Sequence, residues 1–331
     1  MAELRILVIR LSSMGDVIHT LPAVASLKHR FPHSHLTWLV RPRWTPLLEG
    51  NPYVDEVVAV ERSVSASFAE ARRLRARHFD LAVDFQGLIQ TALLGAAARP
   101  RKLAGFDRTQ VRERWAALFY SSEVPTQAAH VVERNLELAA GAELAAGTEL
   151  AAGAGAANLP RTFPLPPGAP EGSLPDGRFI LASPFAGWGS KQWPLEYWSE
   201  LSGMLELPLV VNGPPNSEAE LRKIRGVHVH LSGIPGLIDA TRRAHAVIGV
   251  DSGPLHLAAA LGKPGVAIYG PTDPARNGPY GGTIRVLRSA EALTDYSRGS
   301  QPHPSILEIS PARVARMLTS VLETSSTRCT A

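Results

Sequence analysis

The chain has 331 residues, 45% of them hydrophobic and 19% charged, the composition of a soluble globular protein long enough for two domains. No uncharged apolar run approaches the roughly 20 residues of a spanning helix. The opening MAELRILVIR is charged too early and apolar too briefly for a signal peptide. One cysteine, Cys329, excludes an internal disulfide and a cysteine-based metal site, so a cytoplasmic protein is expected. The net charge of +4 is uneven: residues 1–136 hold 18 Lys and Arg against 13 Asp and Glu, and the remainder 16 against 17. Clusters such as Arg72-Arg73-Arg75-Arg77 and Arg99-Arg101-Lys102 suit either a solvated helix face or an anionic partner. Aromatic residues are not interleaved with the basic ones, which sets nucleic acid aside.

Residues 5–10 (RILVIR) read as a buried first strand. It runs out in Leu11-Ser12-Ser13-Met14-Gly15-Asp16, after which Val17, Leu21, Val24 and Leu27 keep a helical spacing that Phe31-Pro32 ends. Pro22 leaves two readings open: a helix from about Gly15 with a proline inside, or one starting at Leu21 with Thr20 as cap. In both, Asp16 lies at the carboxyl end of the first strand, where open α/β sheets bind ligands. Strands follow at 36–40 and 54–60, then an arginine-rich helix at 66–77. A strand at 81–85 leads through Gln86-Gly87 into an apolar helix ending near Ala98. This alternation is a doubly wound α/β domain.

Residues 137–154 repeat a six-residue unit, ELAAGA, ELAAGT and ELAAGA, read as a helix end extended into a flexible connection. Six prolines between residues 160 and 175 mark a linker. A strand at 178–182 opens the second domain and leads into SPFAGWGSKQWP, with a helix from Pro194. A strand at 207–211, the turn Asn212-Gly213-Pro214-Pro215, a helix at 218–224 and a strand at 226–231 come next. Residues 247–274 (VIGVDSGPLHLAAALGKPGVAIYGPTDP) read as strand, Asp251-Ser252-Gly253 turn, helix from Pro254 to Leu261 capped by Gly262, and strand at 266–269. A last amphipathic helix covers 310–322, with a frayed end from residue 325.

A helix N-terminus reached through a Ser-Gly turn offers free N–H groups and partial positive charge to a phosphate. His256 leans back toward Ser252. An ordinary βαβ unit in which Asp251 and Ser252 only cap the helix is equally consistent. Asp16 suits a general base within reach of an incoming hydroxyl, or a helix cap. Lys191 suits a phosphate partner or a surface lysine. The GWGSK loop lacks Walker A spacing, and the chain has no GxGxxG after the first strand, no GxSxG elbow, no HExxH and no Asp-x-Asp pair for a metal–diphosphate.

Taken together, ILVIRLSSMGDVIHTLPA, GWGSKQWP and DSGPLHLAAALG with YGPTDP resemble glycosyltransferase family 9, the ADP-heptose:lipopolysaccharide heptosyltransferases, the first heptosyltransferases in particular. The likeness runs in order through DFQGLIQT, FYSS and HVVERN over nearly the whole chain. It implies a GT-B fold: two Rossmann-like domains facing a cleft, residues 1–158 for the acceptor and 177–310 for the nucleotide sugar. Residues 159–176 would link them, and 311–331 would form a C-terminal helix and tail. It further implies inverting, metal-independent transfer with no cofactor, from ADP-heptose to a Kdo–lipid A type inner core. Asp16 would be the base, with Lys191 assisting the departing diphosphate. Ser190, Lys191, Glu218, Asp251, Ser252, Gly253 and His256 would hold the donor. Arg10, Ser13, Gly15, Gln86, Arg112 and Arg134 would face the anionic acceptor. Ala186-Gly187 stand where the first heptosyltransferases carry a Thr-Thr pair, so backbone amides replace two hydroxyls. The enzyme is expected at the cytoplasmic face of the inner membrane, in peripheral contact with its anionic surface. Alternatives are a family 9 transferase of another sugar or acceptor, and a nucleotide-sugar epimerase of the same fold.

Overall fold

The computed structural model describes residues 3–145 and 161–329. The chain divides into two compact units, Met1–Pro166 and Pro167–Ala331. The later copies of the six-residue repeat and the expected boundary at 158/159 lie outside the described residues.

In the first unit, β1 (Arg5–Ile9), β2 (His35–Val40), β3 (Glu56–Ala59), β4 (Leu81–Asp84), β5 (Lys102–Phe106) and β6 (Ser122–Val124) form one parallel sheet in the order β3-β2-β1-β4-β5-β6. Ile6, Leu7, Val8 and Ile9 are fully buried, as a strand covered by helices on both faces must be. In register, Ile9 lies beside Leu39 on one side and Asp84 on the other.

The helix after β1 settles the Pro22 alternatives: it is continuous, Met14–Arg30, with Pro22 inside. Side chains take up backbone acceptors around the proline. Thr20 Oγ1 donates to Asp16 O at 2.8 Å, and buried Asn135 donates through Nδ2 to His19 O at 3.0 Å. Asn135 belongs to the helix Val131–Ala145, which the repeat pattern half concealed.

The second unit repeats the plan. Strands β7 (Ile180–Ser183), β8 (Leu209–Gly213), β9 (His228–Leu231), β10 (Ala246–Val250), β11 (Gly265–Tyr269) and β12 (Ile284–Arg288) are parallel in the order β12-β11-β10-β7-β8-β9. Strand order thus reverses between β1 and β4, and again between β7 and β10. Those are the two places where a doubly wound sheet opens a crevice at its carboxyl edge. The core of this unit gathers Trp193, Trp198, Ile248, Val250, Ile268, Ile306 and Val314.

Strands β5, β6 and β12 and the helix Ile234–Arg243 escape the reading of the sequence; β6 has only three residues. The final helix runs Pro311–Cys329, past the point where fraying is expected. The proline-rich stretch forms neither helix nor strand from residue 161, yet each part of it is fastened within its own unit. Arg161 pairs with Glu133, Asn51 Nδ2 donates to Pro164 O at 3.1 Å, and Glu171 Oε2 accepts from Gly233 N at 2.5 Å.

Candidate active site

Asp16 stands in the first turn of the helix Met14–Arg30, directly beyond β1. Its Oδ2 accepts from the Ser13 amide at 3.0 Å and from Ser13 Oγ at 2.9 Å, while Oδ1 pairs with Arg10 Nη2 at 2.6 Å. The residue completes a capping box with Ser13 and keeps an ionised carboxylate. Burial pushes its pKa up, but Arg10, the Ser13 hydrogen bonds and His19 outweigh it, leaving the value at about 2. About a third of the side chain (32%) stays exposed.

Arg10 is buried and donates its other arm to Phe85 O. Gln86, also buried, accepts from Leu11 N at 2.6 Å and Ser12 N at 3.3 Å, so it fastens the turn carrying Ser13 to the end of β4. Beside it, Asp84 accepts from the amides of Gln86 and Gly87, from Thr91 Oγ1 and from Tyr120 OH. Burial raises the Asp84 pKa against these hydrogen bonds. Gly87 has φ +69°, and a Cβ there would meet Val111 Cγ2 at 2.7 Å, which is why the Gln86 turn takes glycine. Gly15 is the buried second residue of the helix. Arg134 is engaged with Thr126 Oγ1, Gln110 O and the Phe106 ring. Arg112 is exposed, with no carboxylate partner among the described residues.

The second centre forms at the carboxyl ends of β7 and β10. Asp251 follows β10 and is buried; its Oδ2 pairs with Lys191 Nζ at 2.6 Å and accepts from Thr272 Oγ1 at 2.8 Å. His256 Nε2 lies 3.5 Å from Oδ1. Burial pushes the Asp251 carboxyl up, but His256 and Lys191 pull it well below the usual carboxylate range. Lys191 is no surface lysine: its side chain is only 11% exposed, and the ammonium lies 4.1 Å from the centre of the Trp188 ring.

The helix after β10 begins at Gly253, one residue earlier than its proline suggests, so His256 is its fourth residue. Pro254 has no N–H, which leaves Gly253 and Leu255 as amide donors of the first turn. Ser252 is the N-cap, yet its Oγ caps nothing; it is buried without a hydrogen-bond partner among the described residues. The far end closes as a Schellman motif, with Gly262 at φ +68°, Gly262 N donating to Ala259 O and Lys263 N to Ala258 O.

Ser190 joins two segments of this unit. Its Oγ donates to Ser297 O at 3.2 Å and its amide to Gly299 O at 3.0 Å, tying the segment before the last helices to this loop. Glu218 is half-buried and paired with Arg222 on its own turn at 2.6 Å. Thr272 and Trp188 escaped the reading of the sequence. The YGPTDP motif pointed at Thr272, but only the parallel pairing of β10 with β11 explains why it meets Asp251. Among the described residues, no three His, Cys, Asp or Glu gather as a metal ion requires. No helix of the described residues is long and apolar enough to cross a membrane.

The profile of glycosyltransferase family 9 (heptosyltransferase) matches residues 68–303. Lipopolysaccharide heptosyltransferase 1 of Escherichia coli is 31% identical over 310 residues, covering 86% of this chain and 94% of that one. The protein of the same name from Pseudomonas aeruginosa is 31% identical over 299 residues, covering 84% and 82%. The structure of E. coli heptosyltransferase WaaC with ADP-2-deoxy-2-fluoro heptose superposes with a TM-score of 0.73 at 26% identity, over 96% of this chain and 99% of that one. Two doubly wound parallel sheets, matched by heptosyltransferases of the GT-B fold over nearly the full length, make this an enzyme of the GT-B type. The chain belongs to glycosyltransferase family 9, the heptosyltransferases.

Proposed function

We propose that the protein transfers heptose from ADP-heptose to the inner core of lipopolysaccharide, onto an acceptor of the Kdo–lipid A type, with inversion and without a metal ion. The observation that carries the chemistry is the Asp16 carboxylate, ionised by Arg10 and part-exposed at the carboxyl end of β1. The acceptor oxygen attacks the anomeric carbon as the bond from that carbon to the diphosphate oxygen breaks. The hydroxyl proton passes to Asp16, and ADP departs with the bonding pair. With a pKa near 2 Asp16 is a weak base, so proton transfer belongs late, when bond formation has made the hydroxyl acidic.

In this reading residues 1–158 serve the acceptor and 177–310 the donor. Lys191, the Gly253 and Leu255 amides and the unpartnered Ser252 hydroxyl receive the diphosphate. Asp251 holds Lys191 in place, and His256 and Glu218 complete the donor side. The helix end, with the Lys191 ammonium that Asp251 positions, takes the part that a metal ion plays in other diphosphate sites. Arg10, Ser13, Gly15, Gln86, Arg112 and Arg134 form the acceptor side, in peripheral contact with the cytoplasmic face of the inner membrane. The names of the relatives support the sugar and the acceptor class.

The test is ADP release from ADP-heptose with and without a deacylated, Kdo-containing acceptor, for wild type and Asp16→Ala. Acceptor-dependent release abolished by the substitution is expected. Release at wild-type rate by Asp16→Ala rejects the base; conversion of donor without any acceptor rejects transfer.

A further inference from the structure

The 3₁₀ turn Arg114–Phe119 buries Ala116 and Ala117 but leaves Trp115 65% and Leu118 69% exposed. With three residues per turn, positions i and i+3 fall in line, so these two side chains form one apolar ridge. The helix Ile89–Ala97 packs against this turn and carries Leu93, itself 47% exposed. Arg112 and Arg114 lead into the ridge, both exposed and without carboxylate partners among the described residues. The acid between them, Glu113, is occupied with the Ile89 amide at 2.7 Å. An exposed indole directly after two unneutralised arginines is not needed to build the first unit, whose core closes on Leu103, Phe119 and Tyr120.

We propose that this ridge docks the enzyme on an anionic lipid surface, Trp115 and Leu118 entering the headgroup–acyl boundary while Arg112 and Arg114 meet lipid phosphates. The chemistry separates this occupant from a second copy of the chain. Two side chains bury on the order of 400 Å² at most, about half of what each partner of a stable dimer contributes. A two-fold contact would also set each arginine pair against its own copy. A lipid interface rewards a small wedge of Trp and Leu flanked by cations. The surface stands on its own residues; its placement beside Arg112 on the acceptor side rests on the transfer reading above.

The test uses the full chain and acceptor-free vesicles, phosphatidylglycerol mixed with phosphatidylethanolamine against phosphatidylcholine alone, by co-sedimentation at low and high salt. Wild type should bind the anionic vesicles. The double variant Trp115→Ser with Leu118→Ser should bind them at least about ten-fold more weakly, and Arg114→Glu should also bind more weakly and with less salt dependence. Turnover of the double variant on a deacylated, water-soluble acceptor should match wild type. Vesicle binding equal in wild type and both variants overturns the proposal. So does a concentration-dependent dimer that the double variant abolishes, which would give the ridge to a second copy. If vesicle binding follows the ridge while no soluble acceptor is turned over, docking stands and the transfer reading falls.

Discussion

Lys191 and Asp251, 60 residues apart in sequence, meet as a buried ion pair with Nζ 2.6 Å from Oδ2. The pair is close to neutral, so an arriving diphosphate meets a positioned ammonium rather than a free positive charge. The first-turn amides and Ser252 must then supply much of the attraction.

Lys191→Ala should weaken ADP binding by about 10- to 150-fold, the loss of a charged hydrogen bond. It also strands a buried carboxylate, at a cost of about 3–5 kcal/mol. Combining Lys191→Met with Asp251→Asn should recover most of that stability and none of the affinity. Calorimetric ADP titration and urea unfolding followed by tryptophan fluorescence separate the two effects. Because the Asp251 pKa is lowered in the folded state, its contribution is present above the unfolded carboxylate range and lost as pH falls.

Asp16→Asn should lower kcat by about 10²- to 10⁴-fold while leaving ADP-heptose affinity nearly unchanged. Arg10→Met leaves burial opposed only by the weaker partners, so the Asp16 pKa rises from about 2. The acid limb of kcat/KM should accordingly move to higher pH than in wild type. An unshifted limb would separate Asp16 from the proton transfer.

Glu143, in the helix Val131–Ala145, has its pKa pushed up to about 7 by burial, against the pull of Arg30 at 3.2 Å. A raised folded pKa stabilises fully below the unfolded value of 4.5, and that contribution is lost as pH rises through 7. Glu143→Gln should therefore be more stable than wild type at pH 8, by on the order of 2 kcal/mol, with little gain at pH 5. Thermal melts across that range check it.

Gly189 packs so tightly that a Cβ there would fall 2.0 Å from Ser300 O, a backbone atom that cannot rotate away. Gly189→Ala should cost about 1–3 kcal/mol. It should also loosen the segment from Ser297 to His303 that hangs on Ser190, read out as faster proteolysis between those residues and weaker ADP binding.

Much of this protein is written locally. The apolar run before Asp16, the turn at Asp251-Ser252 and the punctuation by Gly262 and Pro264 each depend on a few neighbouring residues. The interiors of most strands and the placement of Asp16 and Asp251 at carboxyl ends could therefore be read directly. Short elements such as β6, and β5 with its interior glycine, carry too little periodicity to be read, and their neighbours in the sheet make them strands. Whether Pro22 lies within a helix was likewise open to the sequence. In the structure it lies inside the continuous helix Met14–Arg30, where buried Asn135, more than a hundred residues on, donates to the carbonyl of His19. The same division holds at the site. The sequence supplied Lys191, Asp251 and Thr272 as separate residues in separate motifs. Only the parallel pairing of β7 with β10 and of β10 with β11 brought their side chains to one carboxylate, because non-local strand order has no signature in any short stretch of chain.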